Sequence, residues 1–155
     1  MTTIAWDGST LAADRRATGE GFAYTITKIR RCADGRLVGA AGNVSAVVAL
    51  LDWQADGRAG DPPLSLSSTD WHDMIEVEPD GSVWLWGDHG RYRIHDRTAA
   101  IGSGACYARA AMACDRDAPA AIAVASLFDP KTGPDVDTLE LLAAPAPSRR
   151  RVRAA

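Results

Sequence analysis

Between Asp73 and Asp96, three short runs (DMIEVEP, SVWLWGD and RYRIHD) alternate apolar with polar residues, separated by the turn dipeptides Asp80-Gly81 and His89-Gly90. A period of two puts all the apolar side chains on one face only in a strand, and such dipeptides reverse the chain tightly. The segment is therefore an antiparallel meander with one face to bury, and an all-helical fold is excluded.

The remaining sequence supplies what buries that face. Thr2–Trp6 and Thr10–Asp14 read as two strands joined at Asp7-Gly8. FAYTITKI, residues 22–29, reads as a third strand, and RLVGAAG, after a turn at Ala33–Gly35, as a fourth. Asn43 is suited to cap a helix in NVSAVVALLDWQA, with Val44, Val47, Val48 and Leu51 at helical spacing on its apolar face. A loop, GRAGDPPLSLSSTDW, leads into the meander. Ala99–Ile101 is a short strand broken by Gly102-Ser103-Gly104. ACYARAAMACDRD and APAAIAVASLF then read as alanine-rich helices, the second with Pro119 in its first turn. VDTLELL is a last strand. Strands, helix, strands, two helices and a strand make an α+β chain: two packed antiparallel sheets with helices on their outer faces.

At 155 residues the chain is one domain with a substantial core, and its net charge of −3 argues against an electrostatically driven nucleic-acid binder. No apolar run reaches membrane-spanning length, and the first residues lack the pattern of a secretory signal. Cys32, Cys106 and Cys114 are odd in number and share no metal-ligand spacing, which points to free thiols in a reduced, cytoplasmic setting. Cys106 and Cys114 read as buried small apolar residues. His72, His89 and His95 each adjoin an aspartate, but turn and edge positions account for them better than a metal site. Trp84 and Trp86 share a sheet face and read as packing residues. The domain is placed at residues 1–142, and the Ala/Pro/Arg-rich residues 143–155 read as a disordered tail.

The chemistry starts at Thr2. A small residue behind Met1 permits aminopeptidase trimming, which leaves a hydroxyl and an α-amine on one residue. With an intrinsic pKa of about 8, that amine can take the hydroxyl proton and activate a weak nucleophile. TTIAWDGSTLAADRRAT, TKIRR, LVGAAGNVSA, AIGSGACYARAA and DPKTG occur in that order. Taken together, they resemble the proteasome β-subunit family, most closely its bacterial HslV-type branch, from Thr2 to about Leu142.

The resemblance implies a four-layer αββα N-terminal-nucleophile (Ntn) hydrolase fold and a threonine-type endopeptidase of intracellular protein degradation. Thr2 matches the nucleophile. Asp14 matches the acid beside the active-site lysine, Lys28 that lysine, and Gly39 the oxyanion-binding glycine. Ser103 and Asp129 match the pair that orders the N-terminal amine, with Thr132 where the family often has serine. The implied partners are a peptide or unfolded-protein substrate, copies of the same chain in a homo-oligomeric ring and an ATP-dependent unfoldase. No metal or organic cofactor, nucleic acid or membrane is implied. Singly, each residue has an ordinary reading: Asp14 in a turn, Lys28 as a solvated strand charge, Gly39 and Ser103 as packing and capping residues, Asp129 at a helix exit.

Two departures from the family stand out. The hairpin spacings are tight, and residues 57–71 replace a second long helix, so one helical layer should hold a single helix. Two alternatives keep the fold while changing the function: a small-amide hydrolase using the same nucleophile, and a catalytically inactive ring subunit.

Overall fold

The computed structural model describes residues 2–19, 21–61, 63, 72–87 and 90–142. The first sheet has the order β10-β1-β2-β11, with β1 at Thr3–Trp6, β2 at Thr10–Asp14, β10 at Ala99–Gly102 and β11 at Val136–Glu140. The second has the order β5-β6-β7-β8-β9, with β5 at Ile29–Arg31, β6 at Leu37–Gly42, β7 at His72–Val77, β8 at Val83–Gly87 and β9 at Gly90–Ile94. All pairings are antiparallel. The meander is β7-β8-β9, as its alternation requires. His89 and Asp88 at its second turn, and residues 143–155, lie outside the described residues.

Four layers follow from where the apolar faces go. Ile4, Trp6, Leu11 and Ala13 of the first sheet meet Ile29, Leu37, Ala41, Ile75, Val77 and Val83 of the second, forming the central core. On the outer face of the first sheet, Ala5 and Ala12 receive α2 (Ala105–Ala113) and α3 (Ala118–Phe128) through Ala108, Ala111, Ala121, Ile122 and Ala125. The alanine-rich composition of these helices is thus a packing device, since small side chains let helix and sheet approach closely. On the outer face of the second sheet, α1 (Val44–Ala55) buries Val47, Leu50 and Leu51 against Val38, Ala40 and Met74. It is the one helix of that layer among the described residues.

The turn and cap chemistry read from the sequence is present. Asp7 Oδ1 accepts the N–H groups of Ser9 and Thr10, and Gly8 has φ +103°. Asn43 caps α1 by accepting the Ser45 N–H at 3.0 Å. Three expectations need correction. Residues 22–29 do not form one strand. A separate hairpin of β3 (Arg16–Gly19) and β4 (Phe22–Thr25) precedes a break at 26–28, where the Ile26 N–H turns to the Arg15 carbonyl. On α1, Val44 and Val48 are exposed, and the buried stripe runs through Ala46, Val47, Leu50, Leu51 and Gln54. Cys106 and Cys114 are also exposed, while Cys32 is buried.

Beneath the C-terminal end of α1 lies a charged cluster. The fully buried Glu76 carboxylate meets Arg36 at 3.3 Å, Arg91 at 3.1 Å and Arg58, and accepts the Trp86 indole N–H at 2.9 Å. Arg36 is anchored in turn by Asp34 and Gln54.

Candidate active site

β2 ends on Asp14, whose carboxylate is fully buried where the two sheets meet the β3–β4 hairpin. Four donors converge on it. Oδ1 accepts the Thr3 N–H at 2.8 Å and Lys28 Nζ at 2.9 Å; Oδ2 accepts the N–H groups of Arg16 at 3.0 Å and Gly133 at 2.9 Å. These four donors use the four lone-pair directions of the carboxylate, which holds it rigidly in place. Lys28 lies on the break between β4 and β5, which turns its ammonium inward rather than into solvent. Nζ also donates to the Arg16 carbonyl at 2.5 Å. Burial pulls Lys28 below the usual lysine range against the opposing pull of Asp14.

The second carboxylate, Asp129, caps the C-terminus of α3. Its Oδ2 accepts the hydroxyls of Ser103 at 2.6 Å and Thr132 at 2.7 Å, while Oδ1 accepts the Lys131 N–H at 3.1 Å. Burial works to raise its pKa, but the hydrogen bonds from Ser103 and Thr132 outweigh it and hold the group below the usual carboxylate value.

Thr2 joins the two stations. It is buried, its carbonyl accepts the Ser103 N–H at 2.8 Å, and it lines a narrow pocket with Lys28, Gly42, Val44 and Val47. Its hydroxyl has no hydrogen-bond partner among the described residues, whereas that of Thr3 is engaged by Gly104 and Thr132. The glycines of IGSG make this approach feasible. A Cβ on Gly102, which has φ +94°, would lie 1.9 Å from the Thr2 carbonyl oxygen, and one on Gly104 would lie 2.3 Å from the Thr3 hydroxyl.

Of the residues singled out in the sequence, Thr2, Asp14, Lys28, Ser103 and Asp129 come together, with Thr132 behind them. Gly39 does not. It sits mid-strand between Ile29 and Ile75, and its missing Cβ would meet Ile29 and Ile4 at 3.0 Å in the inter-sheet core. Its smallness lets the two sheets close. The glycine at the pocket is Gly42, the last residue of β6, immediately before the α1 cap. The motif LVGAAG holds both glycines, and alternation could have separated them: Leu37, Gly39 and Ala41 share the inward face of β6. The clamps made by Thr3, Gly102, Gly104 and Gly133 carried no sequence signal beyond lying inside motifs already singled out.

The sequence matches no family model and no curated protein. Solved structures do match. BPH of Thiobacillus denitrificans in complex with epoxomicin superposes with a TM-score of 0.70 at 21% identity, covering 93% of this chain and 99% of that one. A second structure of the same protein gives 0.67 at 21% identity, over 91% and 98%. HslV from Trypanosoma brucei gives 0.63 at 22% identity, over 89% and 99%. At such identities the likeness shows the fold alone: a mixed α+β arrangement of antiparallel sheets and helices like that of BPH and HslV.

Proposed function

We propose that the chain is a threonine-type endopeptidase, active after removal of Met1, with Thr2 as nucleophile. The observation that carries this reading is the convergence of the Asp14–Lys28 and Ser103–Asp129 pairs on a buried Thr2 whose hydroxyl engages no other group among the described residues. The buried ammonium of Lys28 disfavours a second positive charge nearby, so it lowers the pKa of the freed Thr2 amine and increases its basic form. The amine takes the hydroxyl proton as Thr2 Oγ1 attacks the peptide carbonyl. The proton then passes to the departing amide nitrogen, leaving an ester on Thr2. Water, activated by the same amine, hydrolyses the ester and restores the hydroxyl.

The tetrahedral oxyanion needs fixed donors. Along β6 the Ala40 N–H bonds the Lys28 carbonyl. Two residues on, alternation aims the Gly42 N–H off the same edge, where β5 has ended and the pocket begins. The positive end of α1 lies immediately beyond. Gly42 is therefore assigned the role that the sequence motif suggested for Gly39.

A homo-oligomer fits the surface. Leu127 and Phe128, 77% and 61% exposed, stand at the end of α3 with Tyr107 stacked on Phe128, beside Asp129. Exposed apolar groups in such a cluster favour burial against another chain. The test of function is Thr2→Ala, expected to keep the fold and abolish peptide turnover. Retained turnover overturns the reading.

A further inference from the structure

Thr3 has no part in the chemistry just described, yet it touches both carboxylate stations. Its backbone N–H donates to Asp14 Oδ1 at 2.8 Å, and its side chain is completely buried. Its Oγ1 lies 3.0 Å from the Gly104 N and 2.6 Å from Thr132 Oγ1.

Counting protons fixes the direction of every bond in this chain. A hydroxyl has one hydrogen to give. That of Thr132 goes to Asp129 Oδ2 at 2.7 Å, a carboxylate held ionised. The short Thr3–Thr132 contact must then use the Thr3 hydrogen, and Thr3 Oγ1 accepts from Gly104. The relay reads Gly104 N–H to Thr3, Thr3 to Thr132, Thr132 to Asp129. Ser103 is fixed likewise: its hydrogen goes to the same Oδ2 at 2.6 Å, since its 3.5 Å separation from the Thr2 carbonyl is too long to compete. On the Thr2 reading its remaining lone pairs are available to an N–H of the freed amine, beside the Thr2 carbonyl that accepts the Ser103 N–H at 2.8 Å.

We propose that Thr3 is a positioning residue for the Thr2 reaction, coupling the Asp14 and Asp129 stations so that the acceptor side of Ser103 faces the nucleophile's amine. The proposal rests on the Thr2 reading. The geometry supports dedicated construction: any side chain at Gly104 would collide with both the Thr3 and Thr132 hydroxyls, at 2.3 and 2.9 Å. If Thr3 were only a strand residue, a β-branched apolar side chain of the same shape would serve.

Thr3→Val makes that distinction, because it keeps shape and strand preference while deleting the hydroxyl. It leaves a buried N–H on Gly104 without an acceptor and Asp129 less firmly oriented. The expected result is a fall in kcat of at least about 10-fold, the effect of one hydrogen bond in a charged network. KM should stay within about two-fold, and the ascending limb of the pH–rate profile should move as the amine loses its acceptor. Thr3→Ser, which keeps the hydroxyl, is expected to recover most of kcat and the original limb. Should Thr3→Val not fold, Thr132→Val cuts the same relay from the other end, and the same changes in kcat and pH limb are expected.

Wild-type kcat and an unmoved limb in a folded relay variant overturn the role of Thr3, as does failure of Thr3→Ser to recover activity. Reaction of wild-type protein with a peptide epoxyketone at Thr2 is measured alongside. If an adduct forms at the same rate and with the same pH dependence in Thr3→Val, only the positioning role fails. If the wild type forms none, the nucleophile reading fails and takes this proposal with it.

Discussion

Replacing Gly102 by alanine is expected to cripple the site from a position that bears no functional group. The added Cβ would lie 1.9 Å from the Thr2 carbonyl oxygen and 2.7 Å from its carbon, so Thr2 must retreat by about 1.5 Å to reach the ordinary contact distance of 3.4 Å. A displacement of about 1 Å in a reacting group costs on the order of 100-fold in rate. The φ of +94° adds about 1–2 kcal/mol of backbone strain for any residue with a Cβ. Gly57→Ala separates the two effects. Gly57 also has positive φ, at +74°, but has nothing within 4 Å of its Cβ position among the described residues and lies at the far end of α1. Denaturant unfolding should show a loss of about 1–2 kcal/mol for Gly57→Ala with turnover intact. Gly102→Ala should lose at least that much stability and turnover by about 100-fold or more. Equal turnover in the two variants would refute the argument that Thr2 is held by this close approach.

Lys28→Met removes the cation thought to keep the Thr2 amine neutral. The ascending limb of kcat/KM, below the free-amine value of about 8 in the wild type, should shift up towards it, with an unmoved limb contradicting the role. Glu76→Gln strips the fully buried carboxylate from Arg36, Arg58 and Arg91 and should cost about 3 kcal/mol, or about 6–12 °C in Tm. Although burial works to raise it, the Trp86 hydrogen bond and the arginines hold the Glu76 pKa below the usual value. Its contribution to stability is therefore present above about pH 4.3 and lost as pH falls through the lowered value. The gap between Glu76→Gln and wild type should close on acidification, and a gap independent of pH would show that the cluster contributes through packing alone. Native mass spectrometry should find an oligomer that Leu127→Asp combined with Phe128→Asp weakens; a wild-type monomer would remove the assembly from the proposal.

The parts legible in the sequence were those set by local chemistry. Asp7-Gly8, Asp80-Gly81, the Asn43 cap and Pro119 each dictate a turn or a helix start within a few residues, and all are present. The alternation of the meander fixed its strands for the same reason. Less local features escaped. The β3–β4 hairpin and the break at residues 26–28 depend on Lys28 reaching Asp14, a contact across 14 positions, so the run read as one strand. The exposure of Val44 and Val48 depends on which side of α1 meets the sheet, and helical spacing alone admitted more than one stripe. Asp14, Lys28, Ser103 and Asp129 were singled out through motif order, and the fold brings them together in two hydrogen-bonded pairs. The resemblance pointed to Gly39, but LVGAAG holds Gly42 as well, and which glycine packs between the sheets is decided by Ile4, far away in sequence.

The measurement that bears most directly on Thr2 as nucleophile is the intact mass of the purified protein before and after exposure to a peptide epoxyketone. The expected result is a chain lighter by one methionine that gains a single adduct, absent in Thr2→Ala. A chain that retains Met1 and takes up no adduct would contradict the assignment, since a blocked amine cannot serve as the base.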